Sequence, residues 1–367
     1  MKKIKLSSFL LALAAPFAAA VVSIVISSLA VIATKKSPMD AYETMWEFGT
    51  TSGSLMETLN VATPYYIAAI AIAITFRAGL FNIGVEGQLR LGAMFGAYFG
   101  AMFVLPPVLH IVVIMLIAMT IGGLWAAIAG YLKVKRGVSE VISTIMLNLL
   151  AGGLSSYLLA NNFADRSTAS NNLSTKEIPA SGQFPDLMPL LNKLGVEDQP
   201  GGGVYGMLFI AIALGFAFWF IVNRTRFGFE LRATGANPIA ARVSGVNSKR
   251  MTFIALALSG AVAGLAGLPA VLGETHAFNM GFRVGIGLTA IGIALLGRNS
   301  AVGMAISALL FGFLEVSSRA LELIDIAPET YVIMQGSILL SSVIAFEVVR
   351  RYKITLQSNE LAKAVEA

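Results

Sequence analysis

Apolar runs close to twenty residues long recur from one end of this 367-residue chain to the other, and nothing else limits its fold so much. Inside a hydrocarbon layer each backbone amide must find its partner within its own segment or in a closed barrel, so runs of this length and spacing read as membrane-spanning helices. Ten are expected, over Phe9–Ala33, Leu59–Phe76, Leu89–Val104, Val108–Leu132, Val138–Ala160, Val204–Val222, Met251–Leu272, Gly281–Leu296, Ala301–Ser317 and Tyr331–Val349. The first follows MKKIK and is too long for the apolar core of a secretory signal, about 7–15 residues, so it reads as a retained span. The expected fold is all-α and polytopic, with two short or broken segments, around Gly79–Gly92 and Gly281–Ser300. Paired interruptions of this kind point to a site at mid-depth. The longest polar stretch is 43 residues, so the whole of 1–367 is expected to form a single transmembrane domain. Only 13% of residues are charged, against about 25% in a soluble globular protein.

Charge orients the spans. Basic residues cluster at Lys133–Arg136, across Asn223–Arg250 and at Arg350–Lys353, which places these ends on the cytoplasmic face. The loop Asn161–Gly203 carries five acids against three basic residues and is expected outside. With ten spans, both termini are cytoplasmic. The net charge of +6 does not suggest nucleic acid, because the basic residues sit at span ends and not on one face.

The 28 residues Asn223–Arg250 carry six Lys or Arg and one acid, Glu230, and their composition suggests more than a tether. Asn237 can cap a helix whose first position is Pro238, and Gly245 can end it. Ile239, Ala240 and Val243 then share a face while Arg242 points away, and the Ala240-Ala241 pair allows close approach. A short capped helix on a cytoplasmic loop reads as a docking knob for another protein.

Polar residues interrupt the apolar pattern at Gly79–Gln88. A carboxylate deep in a bilayer costs about 2.5–3.5 kcal/mol on insertion scales, so Glu86 needs a partner or an aqueous cavity. In one reading the segment lines a solute path, with Asn82, Glu86 and Gln88 offering hydrogen bonds and Phe81 an aromatic face. In the other it is a helix-breaking turn in which Arg77 or Arg90 pairs with Glu86. Asn148, inside the fifth span, reads as interhelical glue, and it joins the first set if the two segments pack together. Ser139 is placed to cap that span and Glu140 to favour its N-terminal dipole. The small-residue faces Gly92/Gly96/Gly100 and Gly260/Gly264/Gly267 signal close helix packing.

Cysteine is absent, which excludes disulfides, thiolate chemistry and Cys-ligated metals. His110 and His276, the two histidines, are far apart and expected at outer span ends, so no metal site is expected. There is no GxxxxGK[ST] loop, HExxH or GxSxG, so the chain itself should hold no ATP, no cofactor and no catalytic set.

Three stretches, FRAGLFNIGVEGQLRLGA, GVSEVISTIMLN and LRATGANPIAARVSGVN, together resemble the permease subunits of bacterial ATP-binding-cassette importers. The branch they resemble serves ribose-type sugars, branched-chain amino acids and nucleosides, and NIGVEGQ and SEVISTIMLN are most similar to its nucleoside permeases. IGIALLGRNSAVGMAISALLFGFLE is similar to that branch's penultimate segment. The resemblance implies a multi-pass protein of the bacterial plasma membrane that works with a cytoplasmic ATPase, where ATP is used. It also implies a second permease, identical or paralogous, and an extracytoplasmic substrate-binding lipoprotein. On the same ground Gly235, Asn237, Pro238, Ala240, Ala241, Arg242 and Gly245 form the coupling helix that seats in the ATPase. The expected function is nucleoside import. The alternatives are a simple sugar such as ribose, a membrane-embedded enzyme, for which acidic or histidine clusters are missing, and an ion-coupled transporter, for which Glu86 is the sole candidate carboxylate.

Overall fold

The structure of the protein is a computed structural model, described here over residues 2–166, 173–193 and 203–366. Its helices are α1 (Lys2–Ala33), α2 (Pro38–Gly49), α3 (Ser52–Arg77), α4 (Val85–Gly100), α5 (Pro107–Tyr131), α6 (Glu140–Leu158), α7 (Met188–Asn192), α8 (Met207–Arg224), α9 (Arg226–Ala236), α10 (Pro238–Val243), α11 (Ser248–Leu265), α12 (Ile286–Leu296), α13 (Ala301–Ser317) and α14 (Thr330–Glu366). Among the described residues extended pairing is limited to isolated bridges, so the all-α expectation holds.

Each of the ten predicted apolar segments is helical, but not every one has the length to cross a bilayer. Seven described helices are long and apolar enough, or eight if α1 and α2, bent by 109° at their junction, count as one broken span. The expected third segment, α4, has 16 residues, and the expected eighth, α12, has 11. At 1.5 Å per residue neither reaches across a hydrocarbon core of about 30 Å. Ten is therefore a count of apolar segments and not an established count of crossings.

The chain divides into two units, Met1–Ser54 with Phe313–Ala367, and Leu55–Gly312. In the first, α1 and α14 meet along small hydroxyls: the Ser337 hydroxyl lies 3.0 Å from that of Ser23 and 3.1 Å from that of Ser27. Val31, Ala41, Met45, Leu321, Ile326 and Met334 form the apolar core beside them. The stretch Lys35–Glu57, between the first two predicted spans, contains α2, which starts where Ser37 accepts the amide of Asp40 and Pro38 sets the first helical φ.

In the second unit α5 buries a stripe at four-residue spacing, His110, Ile114, Ala118, Gly122 and Ala126, while Leu116 and Leu124 face outward. The stripe meets α4 and α11 almost backbone to backbone. A Cβ placed on Gly92 would come within 2.8 Å of the Gly264 Cα, and one on Gly122 within 3.0 Å of the same atom. The two glycine faces read from the sequence are thus two sides of one seam.

Several local expectations change. His110 is fully buried rather than interfacial: its Nε2–H donates to the Gly100 carbonyl at 2.9 Å, leaving Nδ1 to accept from the Ser181 hydroxyl. Ser139 stands at the N-cap of α6, yet its side chain makes no capping bond. Its neighbour Glu140 pairs with Lys133 at 2.7 Å. Of the loop 161–203, residues 167–172 and 194–202 lie outside the described residues. The part at 175–184 runs along 272–278, where the Thr175, Ile178 and Phe184 amides donate to the Phe278, His276 and Leu272 carbonyls.

Candidate functional site

Two features singled out in the sequence, the polar break at 79–88 and the capped turn at 237–245, both lie in the second unit. Their geometries differ sharply.

The break is an elbow between α3 and α4. Gly79 turns the chain with φ +71°, a left-handed conformation that side chains resist. Beyond it the polar residues bond to protein rather than face a channel. Asn82 is fully buried: its Nδ2 donates to Gln88 Oε1 at 3.0 Å and to Ser259 Oγ at 2.9 Å, and its Oδ1 accepts the Gly84 amide at 2.9 Å. Gln88, 1% exposed, returns a bond from Nε2 to Asn82 Oδ1 at 3.1 Å. Ser259, on α11, donates its own hydroxyl hydrogen bond to the Ala71 carbonyl at 2.6 Å. Every side-chain atom in this set has a partner, which is the condition for a stable buried polar network.

Glu86 has the most telling partners. Its Oε1 accepts the Gly285 amide at 2.8 Å and its Oε2 the Gly287 amide at 2.7 Å. These amides belong to the start of α12, which enters from Gly285 at φ +93° with no cap of its own. The first N–H groups of any helix lack internal acceptors and carry the positive end of its dipole. A carboxylate from α4 therefore caps α12 across about two hundred residues of sequence. Hydrogen bonds to a charged group contribute about 1.5–3 kcal/mol each, enough to hold the short α12 in register with α4. The two arginines considered as partners for Glu86 make their hydrogen bonds elsewhere. Arg77 Nη2 donates to the Asn299 carbonyl at 2.8 Å, and Arg90 Nε to Ser155 Oγ at 2.7 Å.

Asn148 does join this set. From α6 its Nδ2 donates to the Ile83 carbonyl at 2.7 Å, and its Oδ1 accepts the Gly87 amide at 2.8 Å. It clamps the elbow from outside, as glue. Phe81 is half-buried, with its ring 5.1 Å from that of Phe76. The structure thus brings Phe81, Asn82, Glu86, Gln88 and Asn148 into one cluster, but as a joint among α3, α4, α6, α11 and α12. Asn82 and Gln88, being buried, offer no solute contact in this conformation.

The capped turn is the opposite case. Asn237 Oδ1 accepts the amides of Ile239 at 2.9 Å and Ala240 at 3.1 Å, Pro238 starts α10, and Gly245 turns at φ +83°. The capping read from the sequence is present. Ile239 and Val243 are 74% and 87% exposed, while Arg242 and Ala240 are also exposed. Ala241, expected to allow a partner's close approach, is instead buried, 4% exposed, and faces its own protein. The Ser248 hydroxyl fastens α10 to the start of α11 through the Pro238 carbonyl at 2.9 Å.

Sequence reasoning missed three parts. The basic stretch before α10 is itself a helix, α9, capped by Thr225, whose hydroxyl accepts the Gly228 amide at 3.2 Å. Thr-x-x-Gly beside Arg226 and Glu230, an i,i+4 ion pair at 3.0 Å, was the legible signal. The second is a contact of backbones: a Cβ on Gly79 would come within 2.9 Å of the Gly235 carbonyl oxygen. Gly235 was grouped with the coupling helix, but nothing in the sequence says that it lies against the elbow. Through this contact and Ser248, the exposed turn is joined to the buried joint by a continuous run of packed atoms. The third is a half-buried aromatic group beyond Arg90. Tyr98 stacks on Phe163 with centroids 3.8 Å apart, and Phe95 meets Phe163 edge-on at 5.4 Å.

The chain is similar over most of its length to known transport proteins. Residues 54–343 match the family model described as branched-chain amino acid transport system / permease component. A glucose ABC transporter permease of Haloferax volcanii is 33% identical over 352 residues, covering 94% of this chain and 90% of that one. A guanosine ABC transporter permease of Bacillus subtilis is 33% identical, covering 83% and 84%. A nucleoside ABC transporter permease of Lactococcus lactis is 29% identical, covering 96% and 95%.

Proposed function

The chain belongs to the branched-chain amino acid transport system / permease component family, and on that premise we propose that it is the membrane subunit of an ATP-driven importer for nucleosides. It carries out no chemistry itself. A cytoplasmic ATPase binds and hydrolyses ATP, α10 seats in that ATPase, a second permease completes the path, and an extracytoplasmic lipoprotein delivers the solute. The observation that carries the drive reading is the exposed apolar face of α10, Ile239 and Val243, on an otherwise basic stretch. A helix of six residues has little stability of its own. Here two capping bonds and Ser248 hold it, so force applied at Ile239 and Val243 passes into α11 and, through Gly235, into the elbow.

The nucleoside reading is supported by the guanosine and nucleoside permeases among the relatives, together with the NIGVEGQ and SEVISTIMLN stretches. The glucose permease favours the sugar alternative. Uptake of labelled guanosine, ribose, glucose and leucine by cells carrying the complete system decides between them. Guanosine uptake is expected. Glucose or ribose uptake without guanosine would overturn the substrate and leave the permease role standing.

The topology we propose puts both termini and the Asn223–Arg250 stretch in the cytoplasm. Lys176 and Asn247 are both exposed and so are open to labelling. In this cysteine-free chain, Lys176→Cys should react with an impermeant reagent in intact cells and Asn247→Cys should not.

A further inference from the structure

Next to α10 the second unit holds a hollow of about 420 Å³ to which the transport argument assigns no ligand. It opens where α5 ends and α11 begins, and its wall includes Lys133, Glu140, Thr234, Arg242, Ser248 and Lys249. The volume falls within the range of small-molecule sites, about 300–1,000 Å³. Two of its charges cancel, since the Lys133 ammonium lies 2.7 Å from Glu140. Arg242 and Lys249 then leave the wall two positive charges in excess, with Glu140 its single acid. Ser248 is already committed to the Pro238 carbonyl. Thr234 is not: it is 2% exposed, and its hydroxyl has no hydrogen-bond partner. A buried donor without an acceptor is rare in native structures and calls for an explanation.

We propose that this hollow binds a phosphate group, with Arg242 and Lys249 matching its charge and Thr234 supplying a neutral donor. Phosphate oxygens are strong acceptors, and a group carrying one or two negative charges balances the excess. The hollow lies at the ends of apolar helices, the depth at which lipid headgroups meet basic pockets, and Leu80 and Val134 give its wall an apolar part. The phosphodiester of an anionic phospholipid and a soluble phosphate present the same chemistry here. Either would bridge the ends of α5 and α11 to α10, and so set how firmly the docking turn is held. The inference goes beyond the transport reading and does not depend on which solute is carried.

The test uses the complete transporter in nanodiscs of phosphatidylcholine, alone or with phosphatidylglycerol, and reads thermal unfolding of the permease and retained lipid by native mass spectrometry. Phosphatidylglycerol should raise the unfolding temperature, and Lys249→Gln should raise the amount needed for half the effect at least fivefold. Thr234→Val separates binding from packing. Without anionic ligand it should be at least as stable as the parent, because it removes an unpaired hydroxyl, while its gain from phosphatidylglycerol should be smaller. If inorganic phosphate in neutral discs gives the same rise, the site takes a soluble phosphate; if phosphatidylglycerol alone acts, it takes a lipid. No rise with either, or a rise unchanged in both variants, overturns the proposal. Solute uptake is not read, so an error in the substrate assignment leaves this result intact.

Discussion

The elbow at 79–88 and the turn at 237–245 have much in common as sequences. Each is a short break between helices, contains a left-handed glycine and mixes amides with apolar residues. In the fold they are opposites. The elbow pairs its polar groups inside the protein, while the turn leaves the apolar side chains Ile239 and Val243 exposed among the described residues. Satisfied buried polarity marks a joint, and apolar exposure on a small capped element marks a docking surface. On the proposed reading, the contrast separates what stays fixed in the permease from what meets another protein.

The largest expected effect breaks the joint. Glu86→Ala leaves the Gly285 and Gly287 amides unpaired and should cost about 3–6 kcal/mol, the sum of two charge-assisted hydrogen bonds. Thermal unfolding in detergent should show a large drop with loss of folded protein, and near-normal unfolding would mean that Glu86 is free for a solute after all. Gly235→Val should come next, because its Cβ would press on the backbone of Arg77 and Ala78. It should lower uptake at least tenfold and also reduce stability. Parent-like uptake would show that the contact between turn and elbow carries nothing.

Ile239→Asp with Val243→Asp sharpens the other side of the comparison. Both positions are exposed, so folded yield and unfolding temperature should stay within error of the parent while uptake and solute-stimulated ATPase are lost. Retained uptake would remove α10 as the docking element. The smallest effect is expected at Asn148→Ala. It removes a clamp of two hydrogen bonds, each worth about 0.5–1.5 kcal/mol, and should lower stability by about 1–3 kcal/mol with some uptake left. Complete loss of uptake at full stability would make Asn148 a solute contact rather than glue.

The sequence by itself determined the all-α membrane character, the small-residue packing faces and the capped turn. These rest on local or periodic physics. Twenty apolar residues must be helical in lipid, glycines at four-residue spacing permit close packing, and Asn-Pro followed by Gly caps and ends a helix within nine residues. Only the tertiary structure decided the fate of the polar residues. Whether Glu86 faces water, an arginine or the bare start of another helix depends on where Gly285 lies, and that partner is 199 residues away. The same holds for Asn82 with Ser259 and for Gly79 against Gly235. Ala241 shows the limit at short range, since a six-residue helix has a face toward its own protein and a face away, and the sequence pattern does not say which is which. The period of a helix is written along the chain, whereas the pairing of a buried polar group is a choice among all the groups that packing brings within reach.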